Sequence, residues 1–393
     1  MERTTLTYLD HNATTPLRPE ARAAMLAALE GPGNPSSVHR AGRLARRRVE
    51  DARGQVADLA GYAAEAVIFT SGGTEANALA LNGAMLSGRP VERVLVSAIE
   101  HPSVLRARPD AETVPVGPDG RVDLLALDAL LTGDRRSTLV SVMAANNETG
   151  IIQPLAEVAE VARRHGALLH CDAVQAFGRF SLDFGALAVD FVSLSAHKIG
   201  GPAGVGALAF GKPGSLQAGL RGGGQEKGLR AGTENIAGIA AFGAAAEAVR
   251  SDRARTAVTA AWRDRIDAAV LAAGKGANGG GTVVIGKGVE RLVNTTYVCM
   301  PGLPAETQVM AFDLAGVAIS AGSACSSGRV EPSPVLAAMG VAPDIAGCGI
   351  RVSLGWSTTE ADVERFLVVW SDIRARAMAG KAESARPAAG LAV

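Results

Sequence analysis

Cysteine is scarce in this chain: four residues in 393, Cys171, Cys299, Cys325 and Cys348, with no C-x-x-C pair among them. That spacing excludes a disulfide framework and a zinc ribbon, and it suits a reducing cytosol. Net charge is also missing. The 39 basic and 39 acidic residues leave the chain formally neutral, so nothing in its balance asks for a polyanion, and no nucleic-acid partner is expected. No uninterrupted apolar run reaches the roughly 18 residues of a membrane span. The opening Met1-Glu2-Arg3-Thr4-Thr5 lacks the basic-then-apolar pattern of a secretory signal. We therefore expect no membrane association and a cytoplasmic location. What remains, 48% hydrophobic and 20% charged residues, is the composition of a globular protein rather than a disordered one. Its length exceeds one ordinary core, which predicts two domains.

Short apolar runs alternate with helical patterns, predicting an α/β fold with a mainly parallel central sheet flanked by helices. The runs are 66–70, 94–97, 139–143, 167–171, 191–194 and 205–210. Leu155 to His165 carries apolar residues at helical spacing. From Ala237 to Ala273 the chain reads as Ala-rich helix, broken near Ser251-Asp252. Strand patterns then recur at 293–300, 316–320 and 350–354, with helices near 305–314 and 360–378, predicting a smaller α+β domain. On this reading residues 15–255 form the large domain, 1–14 and 256–378 the small one, and the Ala/Gly-rich 379–393 a disordered tail.

Chemistry concentrates at strand ends. Lys198, in Ser195-Ala196-His197-Lys198-Ile199-Gly200-Gly201, follows an apolar run and is well placed to form a Schiff base with an aldehyde cofactor. Asp172 follows another run; a carboxylate there can hold a pyridine nitrogen protonated, and Gln175 could reach a ring hydroxyl. A helix N-cap is the competing reading of Asp172. Gly72-Gly73-Thr74 opens a helix, offering backbone N–H groups and a hydroxyl to a phosphate, or else an ordinary capped turn. His101 could stack on a planar cofactor and shuttle a proton, although a lone histidine is more often packed or capping. Asn146-Asn147 ends a further strand. Thr233, in Arg230-Ala231-Gly232-Thr233, is a second phosphate donor or a helix cap. Arg351 lies mid-strand, where a charge needs a partner: a substrate carboxylate or a structural salt bridge. Cys325, in Ser323-Ala324-Cys325-Ser326-Ser327-Gly328, sits among small residues where a thiol is accessible.

Other signals lead nowhere. Gly274-Lys275-Gly276-Ala277-Asn278-Gly279 has the dinucleotide spacing but follows a helix, and the loops ending at Lys212 and Lys287 lack the following Ser/Thr of a phosphate loop. The arginines at 43 and 46–48 read as a solvated helix face, with an acidic partner as the lesser possibility.

Taken in order, the segments 8–16, 31–39, 69–77, 100–102, 145–150, 170–175, 195–198, 230–235 and 323–332 resemble the cysteine desulfurases, class-V aminotransferase relatives that use pyridoxal 5'-phosphate. The resemblance implies the type I fold of these enzymes, conversion of L-cysteine to L-alanine, and a persulfide on Cys325. It assigns Lys198 to the cofactor aldehyde, Asp172 to the ring nitrogen, Gln175 to the ring oxygen and His101 to the ring face. Gly73, Thr74, Ser195 and His197 would hold the phosphate with Thr233 of a neighbouring subunit, and Asn147 and Arg351 the substrate carboxylate. It further implies a homodimer that hands sulfur to a scaffold protein of iron–sulfur assembly, in a form closer to the nitrogen-fixation type. Selenocysteine lyase and class-V aminotransferase are the neighbouring alternatives; a non-catalytic sulfur scaffold or nucleotide-binding module is the alternative of a different class.

Overall fold

A computed structural model describes residues 6–180, 183–212, 214–273, 281–322 and 333–384. Its largest element is a seven-stranded sheet. In spatial order the strands are Val67–Thr70, Gly206–Phe210, Phe191–Ser195, Leu168–Asp172, Thr138–Ser141, Arg93–Ser97 and Glu112–Val114. Only Gly206–Phe210 runs antiparallel to its neighbours. The other six therefore deliver their carboxyl ends to one edge.

Both faces of this sheet are covered, which is why its strands read as continuous apolar runs. Side chains alternate between two cores. Val67 and Phe69 face the helices Arg40–Ala60, Leu155–Arg164 and Ile236–Ser251, whereas Ile68 faces Gly73–Gly83. Helix Arg40–Ala60 stops at Gly61, whose φ of 77° a Cβ would disfavour.

A four-stranded sheet follows, ordered Val283–Val284, Thr295–Cys299, Gly349–Ser353, Ser320–Ala321. Helices Arg253–Ala273, Ala305–Leu314 and Glu360–Ser384 cover one face. Phe312 and Phe366 stack there with centroids 5.2 Å apart, each buried ring worth about 1.5–3 kcal/mol. The other face packs Tyr297 and Cys299 onto Ile99 and Ile151 from the large sheet's loops.

The expected strands and helices are present with ends shifted by a few residues, and the helix opened by Gly72-Gly73-Thr74 runs from Gly73 to Gly83 as expected. Two details differ. The 316–320 run divides: Val317–Ala318 pairs in parallel with Thr7–Tyr8 and Ser320–Ala321 pairs with Gly349–Ser353. The last helix continues to Ser384, past residue 378 and into the segment expected to be disordered. Residues 385–393 lie outside the described residues.

Candidate active site

Five parallel strand ends meet along one edge of the large sheet. Lys198 leaves Phe191–Ser195 in a single 3-10 turn. Its Nζ donates to the carbonyls of Asn12 (2.5 Å) and Ala13 (2.8 Å). Burial, then the charges of Arg179 and Arg351, push its pKa from 10.5 down to about 7. A large fraction of this amine is thus neutral near pH 7, as a nucleophile toward an aldehyde must be.

On the adjacent strand Asp172 is 5% exposed. Its Oδ1 accepts from the Val174 N–H (3.0 Å) and its Oδ2 from Asn77 Nδ2 (2.8 Å). No helix follows it, so the N-cap reading fails. Gln175 donates through Nε2 to the Asn12 carbonyl (2.9 Å), the same oxygen that receives Lys198. Below the turn Glu100 is wholly buried, and desolvation with the nearby Asp172 charge raises its pKa well above the carboxylate range. Burial and the neighbouring carboxylate thus favour the protonated form of Glu100.

His101 caps the short helix Pro102–Leu105, its Nδ1 accepting from the Ser103 N–H (3.1 Å). Nδ1 is thereby an acceptor and the ring proton sits on Nε2. Desolvation lowers this histidine's pKa, opposed by Asp172 and assisted by Lys198. His197 Nδ1 meets Thr14 Oγ1 at 3.1 Å, and burial together with Lys198 and Arg179 lowers its pKa to about 4. Ser195 is buried at the strand end, and Thr74 is exposed in the first turn of Gly73–Gly83. A Cβ on Gly73 would come within 2.8 Å of Val174 Cγ2. The helix start is therefore pressed onto the Asp172 turn, and any larger residue would have to displace the Val174 side chain.

Arg351 is 5% exposed. It is paired with Asp10 (2.8 Å) and donates through Nη1 to the Asn147 carbonyl (2.9 Å), while its buried Nε has no partner. The salt-bridge reading of Arg351 thus holds for Nη2, Nη1 goes to a carbonyl, and the buried Nε has no partner among the described residues. Asn147 contributes its backbone carbonyl here; its side chain is half-buried.

Thr233 stands apart. It lines a hollow of about 150 Å³ with Ser71, Glu226 and Arg230, and the following helix is capped by Asn235 instead. The preceding segment is held by Glu226, which accepts from both Arg53 terminal nitrogens (2.7 and 2.9 Å) and from the Phe69 N–H. Cys325 lies outside the described residues. Both flanks of its segment are described: the Gly322 N–H donates to the Tyr297 hydroxyl, and Ser333 Oγ donates to Glu148 Oε2 (2.6 Å). Cys171, Cys299 and Cys348 are buried. The arginines at 43, 46 and 47 are exposed, as a solvated face requires.

Asn12, Asn77, Asp10 and Arg179 also belong to the site; the first three lie inside the segments 8–16 and 69–77, but sequence pattern assigns none of the four a role. Asn12 and Asp10 sit in the 8–16 segment with no chemistry of their own, and their partners are more than 130 residues away. The site fits a phosphate-bearing pyridine aldehyde: a glycine-opened helix N-terminus, a buried aspartate whose oxygens accept from Asn77 and Val174, and a lysine of depressed basicity lie on neighbouring strand ends.

The class-V aminotransferase profile matches residues 7–366. A cysteine desulfurase of Cereibacter sphaeroides is 44% identical over 373 residues, covering 92% of this chain and 94% of the relative. An IscS-like cysteine desulfurase of Mycobacterium tuberculosis is 39% identical over 387 residues, covering 95% and 97%. The crystal structure of a NifS-like protein from Rickettsia africae superposes with a TM-score of 0.82 at 32% identity, covering 94% of this chain and 99% of that one.

Proposed function

The chain belongs to the class-V aminotransferase family as a pyridoxal-phosphate-dependent cysteine desulfurase, and on that premise we propose which residues carry the reaction and where the sulfur goes. Lys198 holds the cofactor aldehyde, Asp172 its ring nitrogen, Gln175 its ring oxygen, and the Gly73–Thr74 helix start with Ser195 and His197 its phosphate. The bound cofactor supplies an electron sink conjugated with the substrate α-carbon. Arg351 and Asn147 orient the carboxylate of L-cysteine. Lys198 and His101, the latter through Nε2, would hold and move protons at the α- and β-carbons.

The Cys325 thiolate then attacks the substrate sulfur. An S–S bond forms and the Cβ–S bond breaks, its electron pair remaining on carbon, which takes a proton. L-cysteine plus a thiol gives L-alanine plus a persulfide, so no outside oxidant or reductant is needed. Residues 15–255 serve as the cofactor domain, and 1–14 with 256–378 as the smaller domain that carries the cysteine segment. We further propose a cytoplasmic homodimer, with Thr233 reaching the neighbouring subunit's phosphate site and a scaffold protein of iron–sulfur assembly receiving the sulfur. Among the described residues no helix is long and apolar enough to cross a membrane. The relatives' names do not favour selenocysteine lyase or aminotransferase.

The observation that supports this reading most is Lys198, with its pKa near 7, beside Asp172 on the adjacent strand end. The test is to load the protein with cofactor, add L-cysteine, and assay alanine and sulfide under reducing conditions. Cys325→Ala should keep the visible absorbance of the wild type and release no sulfide. Full sulfide release from that variant would overturn the role of Cys325.

A further inference from the structure

Arg179 lies seven residues beyond Asp172 and does not belong to any motif described above. Its half-buried guanidinium hydrogen-bonds only neutral groups among the described residues. Nη1 donates to Gln175 Oε1 (2.6 Å) and Asn12 Oδ1 (2.5 Å), and Nη2 to the carbonyls of His11 (3.0 Å) and Lys198 (3.4 Å). Among the described residues it forms no salt bridge, and burial lowers its pKa to about 9. A half-buried guanidinium with no ion-pair partner among the described residues adds little to stability, so its contribution is sought in what its four bonds hold.

Arginine only donates. By occupying Gln175 Oε1 it determines which way that amide faces: oxygen toward Arg179, NH₂ away from it. In the structure the NH₂ points to the Asn12 carbonyl, where Lys198 Nζ also donates. One guanidinium thus sets the donor edge of Gln175, braces the backbone of Lys198 and ties both to His11-Asn12, more than 160 residues away in sequence.

We propose that Arg179 is a positioning residue that presents Gln175 as a hydrogen-bond donor to the cofactor's ring oxygen and fixes Lys198 against the N-terminal segment. The proposal rests on the reading that Gln175 and Lys198 hold the cofactor. The charged groups facing Lys198 are Arg179, Arg351, Asp10 and Asp172, with the two imidazoles of His101 and His197 nearby. Of these, removing Arg179 takes away a positive charge, and replacing it with lysine keeps the charge but loses the fork.

The experiment titrates cofactor-free wild type, Arg179→Met, Arg179→Lys, Gln175→Ala and the Arg179→Met/Gln175→Ala double variant with pyridoxal 5'-phosphate. It records the dissociation constant and the pH at which the visible band of the loaded protein shifts. Arg179→Met should bind about tenfold more weakly, the scale of one charge-assisted hydrogen bond, and its band should shift at higher pH. Arg179→Lys should bind more weakly than wild type yet keep the wild-type midpoint. In the Gln175→Ala background the loss of Arg179 should weaken binding much less than it does alone. Wild-type affinity and midpoint in Arg179→Met, or fully additive losses in the double variant, would overturn the proposal. If Arg179→Met does not fold, wild-type affinity in Arg179→Lys would overturn it equally. Failure of the wild type itself to bind the cofactor would instead overturn the reading of the site.

Discussion

Gly206 gives the sharpest test of how the sheet builds the cofactor site. It sits where Gly206–Phe210 passes between Thr70 on one neighbour and Ser195 on the other. A Cβ there would lie 2.6 Å from the Gly72 carbonyl carbon, 2.7 Å from Gly72 Cα and 2.6 Å from the Leu194 carbonyl oxygen. Its φ is not in the left-handed region, so the objection to alanine is contact alone. All three atoms are backbone, so no side chain can swing aside; the strands or the Gly72 turn must retreat by several tenths of an ångström. Overpacking of this kind costs about 1–3 kcal/mol. The element displaced is the start of the Gly73–Gly83 helix on one side and the approach to Lys198 on the other. At about 1.4 kcal/mol per tenfold, Gly206→Ala should weaken pyridoxal phosphate binding roughly tenfold or more and lower the urea midpoint of the cofactor-free protein. Titration at the visible band and urea unfolding read the two effects separately. Wild-type values in both would refute the packing argument.

Gly54, inside helix Arg40–Ala60, has nothing within 4 Å of an added Cβ; Gly54→Ala should stabilise the protein by about 0.5–1 kcal/mol, seen as a raised Tm. Lys198 makes stability depend on pH: between its folded pKa of about 7 and the ordinary 10.5, the unfolded chain carries the proton and the folded one does not. The cofactor-free protein should therefore gain stability as pH rises through that window, and Lys198→Met should lose that component; parallel pH profiles for the two would contradict it. Arg53→Met strands the buried Glu226 carboxylate and should cost about 3–5 kcal/mol, part of it recovered by adding Glu226→Leu, which leaves the Phe69 N–H unpaired. A loss below about 1 kcal/mol, that of a surface pair, would count against it. Ser333→Ala removes both the donor to Glu148 and the cap accepted from Leu336, so it should cost about 1–2 kcal/mol. It should also slow persulfide formation at Cys325 while leaving cofactor absorbance unchanged; an unchanged rate would show that this flank does not govern sulfur transfer.

Local pattern alone determined much of this protein. Buried parallel strands must be apolar on both faces, so runs such as 191–194 and 167–171 announce themselves. A glycine turn into a helix, an aspartate after a strand and a lysine after another are short-range signals, and each lies at the sheet edge where such ligands gather. Tertiary structure decided what those residues experience. The basicity of Lys198 depends on burial and on Arg179 and Arg351, the last in a different sheet. The orientation of Gln175 depends on Arg179, and the hold on Arg351 depends on Asp10, 341 residues away. Asn77, four residues beyond the glycine turn, becomes the partner of Asp172 only when helix Gly73–Gly83 packs over the strand ends. Periodicity reports which face of an element is buried, but it carries no information on which distant polar group that face will meet. Desolvation and long-range hydrogen bonding exist only once the chain has closed on itself.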